Sequence, residues 1–110
     1  MLAFFSCEED VPEYEYFIQV ENKTGYKLLI EIFDDKINLL GSGIVDTLNI
    51  QGRLFHISFQ VDNPGVYKVK ATRLYDSGTS TGISTEKTVC IEKIGNNNDV
   101  LTSWTYVKFP

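Results

Sequence analysis

The feature that most constrains this chain is a strict two-residue alternation of apolar and polar side chains, repeated in short runs with turn residues between them. Phe55, Ile57, Phe59 and Val61 fall on one side of such a run, and His56, Ser58 and Gln60 on the other. Successive side chains of a β-strand leave opposite faces, so this period describes a strand with one face buried; a helix cannot produce it. Tyr14, Tyr16, Ile18 and Val20 alternate in the same way with Glu15, Phe17 and Gln19. Tyr26, Leu28, Ile30 and Ile32 make another inward row, and Leu29 and Phe33 suggest burial on both faces. Further strands are expected over Ile44 to Ile50, Val66 to Arg73, Ile83 to Ile94 and Leu101 to Phe109.

The breaks carry turn chemistry: Asn22-Lys23-Thr24-Gly25, Gln51-Gly52-Arg53, Asp76 to Gly82, and Gly95-Asn96-Asn97-Asn98-Asp99. Asp34 to Gly43, with Asp34-Asp35 and Gly41-Ser42-Gly43, is the least regular stretch. All eight glycines lie in or beside such breaks. About seven strands with turn signals roughly every 8–12 residues is the pattern of an all-β sandwich with no significant helix.

At 110 residues the chain is long enough for one domain, which buries roughly two-thirds of its surface without help from disulfides. No apolar stretch approaches the ~20 residues of a spanning helix. The net charge of −5 is uneven. Glu8, Glu9, Asp10 and Glu13 hold four of the fifteen acids, leaving eleven acids against ten bases in residues 14–110. A body so near neutrality lacks the basic face that nucleic acid requires. Residues 1–13 therefore read as a separate acidic leader and 14–110 as the folded domain. With one His and two Cys, a Cys/His zinc site is excluded. Cys90, within the strand pattern Thr88-Val89-Cys90-Ile91, is expected to act as a small buried hydrophobe.

Two resemblances add to this. Asn63-Pro64-Gly65-Val66-Tyr67-Lys68-Val69 resembles the corner of immunoglobulin-like domains, where Asp-x-Gly-x-Tyr-x-Cys enters strand F and the Tyr hydroxyl bonds back to upstream backbone. Here Tyr67 takes that part, Asn63 replaces the Asp and Val69 the Cys; with the partner Cys absent too, an antibody-type domain is excluded. The resemblance implies an immunoglobulin-like or fibronectin-like antiparallel β-sandwich, with Phe55–Val61 as strand E, Val66–Arg73 as F and Ile83–Ile94 as G. The last strand is then extra.

The opening Met1-Leu2-Ala3-Phe4-Phe5-Ser6-Cys7, followed by Glu8-Glu9-Asp10, resembles the end of a bacterial lipoprotein signal. A small residue precedes the thiol that would be acylated, and the acidic run is similar to the surface-export signal of Bacteroidota-type lipoproteins. Phe4 and Phe5 stand where an aliphatic and a smaller residue are usual, and the basic region and most of the apolar region of a secretory signal are missing. The resemblance implies an acylated Cys7 tethering the domain to the lipid bilayer of the outer membrane, on a leash of at most about 20 Å.

Chemistry is sparse. His56 sits in mid-strand with no second base near it in sequence, and Glu31, Glu86 and Glu92 are candidates for a carboxylate pair only as any strand Glu is. Neither Asp34-Asp35 nor Asn96 to Asp99 has the spacing of a calcium loop, and both read first as turns. No catalytic residue, metal or cofactor is expected. The sequon Asn22-Lys23-Thr24 reads as a hairpin closure.

Binding is the expected function, with a protein or glycan as ligand. The stretch Tyr75 to Gly82, including Asp76, Ser77 and Thr79, exceeds an ordinary hairpin connection, and long loops carry binding more often than scaffold does. Asp34 to Gly43 is a second candidate beside it. In the last strand Trp104 and Tyr106 share one face, and Ser103, Thr105, Val107 and Phe109 the other. Outward, the two rings would form a sugar-binding platform; inward, Trp104 would be the core tryptophan, the default for so large an apolar side chain. An unprotected edge strand would instead mark an accessory subunit of an envelope or fibre assembly.

Overall fold

The computed structural model describes residues 14–47, 55–94 and 101–110. Within them the chain is all β, with seven strands in two sheets. β1 (Glu15–Asn22), β4 (His56–Val61) and β7 (Thr102–Phe109) form a three-stranded sheet in the order β4-β1-β7. β2 (Lys27–Phe33), β3 (Leu39–Val45), β5 (Gly65–Leu74) and β6 (Ser80–Ile91) form a four-stranded sheet in the order β3-β2-β5-β6. Cys7, the acidic run after it, the last three residues of the expected strand Ile44 to Ile50, the turn at Gln51 to Arg53 and the turn at Asn96 to Asp99 lie outside the described residues.

The strand order matches an immunoglobulin layout in which β4 is E in one sheet and β5 and β6 are F and G in the other. β1 then stands as B beside E, and β2 as C beside F. The extra strand β7 occupies the flank of β1, where strand A would lie. It runs parallel to β1, from Glu15↔Thr102 to Asn22↔Phe109. The sandwich is therefore not wholly antiparallel as expected. No hairpin joins β1 to β7, so no turn imposes the antiparallel direction.

The inward rows follow the alternation. Ile18, Val20, Ile30, Ile32 and Val69 are completely buried, and Val107 and Phe109 bring β7 into the same cluster. Each such aliphatic contributes roughly 1.5–3 kcal/mol by leaving water. Cys90 is exposed, not buried as its strand context suggested. On the edge strand β6 the inward positions are Val89 and Ile91, and Cys90 between them faces out opposite Val66.

β3 departs most from the sequence expectation. The strand runs over Leu39–Val45, through a stretch that read as irregular, and ends where a strand was expected to begin. Its glycines are packing residues. A Cβ on Gly43 would lie 2.2 Å from Cδ1 of Ile57, and one on Gly41 would lie 2.9 Å from Cδ1 of Phe59. Bare backbone lets the edge of one sheet close on inward side chains of the other.

Two polar devices pin the ends of the sandwich. Asn22 is fully buried at the end of β1. Its Nδ2 donates to the carbonyls of Tyr26 (2.7 Å), Asp46 (3.1 Å) and Val45 (3.3 Å). Its Oδ1 accepts from Thr24 N (2.9 Å) and Thr24 Oγ1 (2.6 Å). One side chain thus closes the β1–β2 turn and ties it to the end of β3. At the opposite end the Tyr67 hydroxyl donates to the carbonyl of Asn63, while Gly65 supplies a φ of +140° that other residues rarely adopt. Burial of the ring pushes the Tyr67 pKa above its usual value. Tyr67→Phe keeps the buried ring and loses one hydrogen bond whose acceptor residue is exposed. The expected cost is about 1 kcal/mol, or roughly 4–8 °C in melting temperature, read from thermal unfolding.

Candidate functional site

The two loops favoured by sequence composition do not form one site. β2 pairs antiparallel with β5, from Lys27↔Leu74 to Phe33↔Lys68. The β5–β6 connection therefore lies at the start of β2 and the β2–β3 turn at its finish, on opposite ends of the sandwich. The β5–β6 connection is also shorter than it read, covering only residues 75–79. Tyr75 N bonds Thr79 O at 2.8 Å and Gly78 N bonds Tyr75 O at 2.8 Å, with Gly78 at a φ of +93°. Ser77 Oγ reaches Thr79 Oγ1 at 3.2 Å, and the Asp76 carbonyl takes Lys27 Nζ at 3.4 Å. Two backbone bonds and the Ser77–Thr79 hydroxyl pair close a hairpin, leaving Tyr75 as an exposed ring at the tip.

At the other end, Asp34, Asp35 and Asp62 line a cleft of about 370 Å³ beside Tyr67. Asp34 is occupied by its own turn. Its Oδ1 accepts from Asn38 N (2.8 Å) and Lys36 N (2.9 Å), and its Oδ2 from Asn38 Nδ2 (3.0 Å). These bonds, the Asn38 backbone first, hold its carboxyl below the ordinary carboxylate value. Among the described residues no group of His, Cys, Asp and Glu is arranged to hold a metal ion. Glu31 and Glu86 sit on either side of Lys70 in one cross-strand row, an outer-face charge ladder.

The residues that do come together lie on the outer face of the three-stranded sheet. Val107 and Phe109 fix which face of β7 is inward, so Trp104 and Tyr106 point out, 44% and 60% exposed. Trp104 is thus not the core tryptophan that its size suggested. The register places Trp104 beside Phe17 of β1, and Phe17 beside Gln60 of β4. The next outward row is Tyr106, Gln19 and Ser58, and the one after it Lys108, Glu21 and His56.

Phe17 and Trp104 stack with ring centroids 4.5 Å apart and planes 17° from parallel. Trp104 and Tyr106 have centroids 6.5 Å apart, again 17° from parallel. Three aligned rings therefore make a short wall, in which Phe17 covers one face of Trp104 and fixes its direction. Gln60 Nε2 lies 3.5 Å from Glu15 Oε2, next to the Phe17 row. In the sequence Phe17 stands only as an outward position in an alternating strand. The signal available was an aromatic among Glu15, Gln19 and Glu21, on the face that should have been polar.

No family model matches the chain, and no curated protein or solved structure does either. The functional reading therefore rests on this geometry.

Proposed function

We propose that this protein is a non-catalytic glycan-binding module whose site is the Phe17–Trp104–Tyr106 wall, and that acylation of Cys7 holds it at the bacterial outer membrane. The exposed rings of Trp104 and Tyr106, nearly parallel to each other and backed by the half-buried Phe17, carry the reading. The C–H face of a pyranose is apolar and weakly positive, which complements the negative face of an aromatic ring. Its hydroxyls need donors and acceptors close by, and Gln19, Ser58, Gln60 and Glu15 stand in the same rows or beside them. Rings already aligned lose little entropy on binding. The open face leaves a bound chain in contact with water, which suits capture more than bond cleavage. The β5–β6 hairpin offers a smaller surface, with one exposed ring and the Ser77 and Thr79 hydroxyls bonded to each other.

Trp104 is the sole tryptophan, so its emission reports the site directly. Titration with soluble neutral polysaccharides (a β-glucan, a dextran and a xylan) is expected to shift its emission to the blue and to protect it from acrylamide. No change with any of the three at millimolar sugar would remove the reading. For the anchor, mass spectrometry of the protein isolated from envelopes is expected to find acyl chains on Cys7. An unmodified thiol in a soluble fraction would remove that half of the proposal and leave the glycan site standing.

A further inference from the structure

Among the described residues four strands form the edges of the two sheets, and they are not alike. β6 carries Glu86 and Lys87, β7 carries Lys108, and β4 turns His56, Ser58 and Gln60 outward. β3 carries no charge at all. It exposes Leu39 (54%), Leu40 (48%) and Ile44 (57%) along an edge whose backbone, among the described residues, pairs on one side only, with β2. Natural edge strands are usually guarded by charge, proline or extreme shortness, because an open row of N–H and C=O groups recruits another strand. The turn before β3 holds Ile37 at a φ of 65° and 73% exposed. A β-branched residue is strained in that region and an exposed one buries little there in the monomer.

The sequence of β3 says what fits it. Leu40-Gly41-Ser42-Gly43-Ile44 reads nearly the same in both directions about Ser42. Antiparallel pairing of two copies centred on Ser42 sets Ser42 against Ser42, each glycine against a glycine, and each Leu40 against Ile44. Residues opposite each other in such a pair point to the same face, so the apolar side chains meet. The next positions out set Leu39 against Val45 and Asn38 against Asp46, and no like charges face each other. The inner face of β3 is already closed by Phe59 and Ile57, so the edge and the outer face remain for a partner.

We infer that β3 is a self-pairing edge. Two copies of this chain join β3 to β3 about a two-fold axis at Ser42, merging two four-stranded sheets into one of eight strands. The interface is isologous, as two-fold symmetry requires. A single strand pair is small, so association is weak and depends on concentration. A dimer would carry two aromatic walls, which raises avidity for a polymeric glycan.

The test is sedimentation velocity of the full chain from micromolar to millimolar concentration, with two variants at an exposed position. Wild type is expected to shift from monomer to dimer across that range. Ser42→Lys places two ammonium groups at the axis while facing Glu31 within its own sheet, so it should fold normally and dimerise about tenfold more weakly or worse. Mixing Ser42→Lys with Ser42→Glu should give a heterodimer tighter than the homodimer of either variant. Circular dichroism and melting temperature verify that both variants fold. A wild type that stays monomeric, a Ser42→Lys dimer of unchanged strength, or a mixture that fails to associate would each overturn the inference.

Discussion

Asn22→Ala is expected to remove about 3–4 kcal/mol of stability, a large share of the 5–15 kcal/mol that domains of this kind possess. At this chain length the melting temperature should fall by roughly 15 °C or more. The loss has three sources. The carbonyls of Tyr26, Val45 and Asp46 lose their shared donor, Thr24 loses the acceptor for its N–H and the nearer of two for its hydroxyl, and a gap opens in a fully buried position. Hydrogen bonds of this sort are worth about 1 kcal/mol each, and buried partners left unpaired cost more than that. Asn22→Asp separates the electrostatics from the shape. A carboxylate there would turn an oxygen toward three carbonyl oxygens in a buried site, so its folded-state pKa must rise above the ordinary value. The protonated form is the compatible one, and the variant's stability is lost as pH rises through that raised pKa. Urea unfolding of Asn22→Asp should therefore give a clearly lower midpoint at pH 7 than at pH 4. The wild type should not show that difference at Asn22. Equal midpoints for Asn22→Ala and wild type would mean that the corner is closed by something else.

The all-β class and every strand except β3 could be read from the chain because alternation decides burial locally. Ile18 and Val20 are inward wherever the sheet is placed, and β1, β2, β4 and β5 fall within a residue or two of their expected spans. What could not be read depended on contacts remote in sequence. Gly41 and Gly43 look like turn residues until Phe59 and Ile57 are placed against them, and only then is β3 required to lack side chains there. Asp76 to Gly82 looks like a long loop because Gly82, a poor strand former, and the small polar Ser80 flank the single strand-favouring Thr81. They are nonetheless carried into β6, where Thr81 Oγ1 bonds the Arg73 carbonyl at 2.9 Å. The face of Trp104 was ambiguous for a related reason. Its strand offers two apolar rows, and only docking against β1 gives the inner one to Val107 and Phe109. The candidate site was thus half legible. Trp104 and Tyr106 could be paired from their spacing, whereas Phe17 joins them only through a parallel register spanning most of the chain.

Trp104→Ala is expected to abolish measurable glycan binding and leave the fold intact. A central aromatic truncated from a binding surface typically costs about 2 kcal/mol or more, which is roughly thirtyfold in dissociation constant. Because the indole faces out, the buried row of β7 is undisturbed, and the stability change comes from the indole's half-buried surface and its lost stacks with Phe17 and Tyr106, about 0.5–1.5 kcal/mol per pair. The neighbours should grade the effect. Tyr106→Ala removes the outer end of the wall and should weaken binding severalfold. Phe17→Ala leaves the indole in place but removes the ring that fixes its direction. It should weaken binding through freedom of Trp104 while melting a few degrees lower, and Trp104 emission in the free protein should become more quenchable. Gln60→Ala, which takes away a polar partner and no ring, should lose less than Trp104→Ala and should do so unequally among the three polysaccharides. Affinity electrophoresis through gels containing each polysaccharide ranks all four variants at once. A ranking in which Gln60→Ala is the most damaging, or in which a shortened 75–79 hairpin damages binding more than Trp104→Ala does, would move the site away from the aromatic wall.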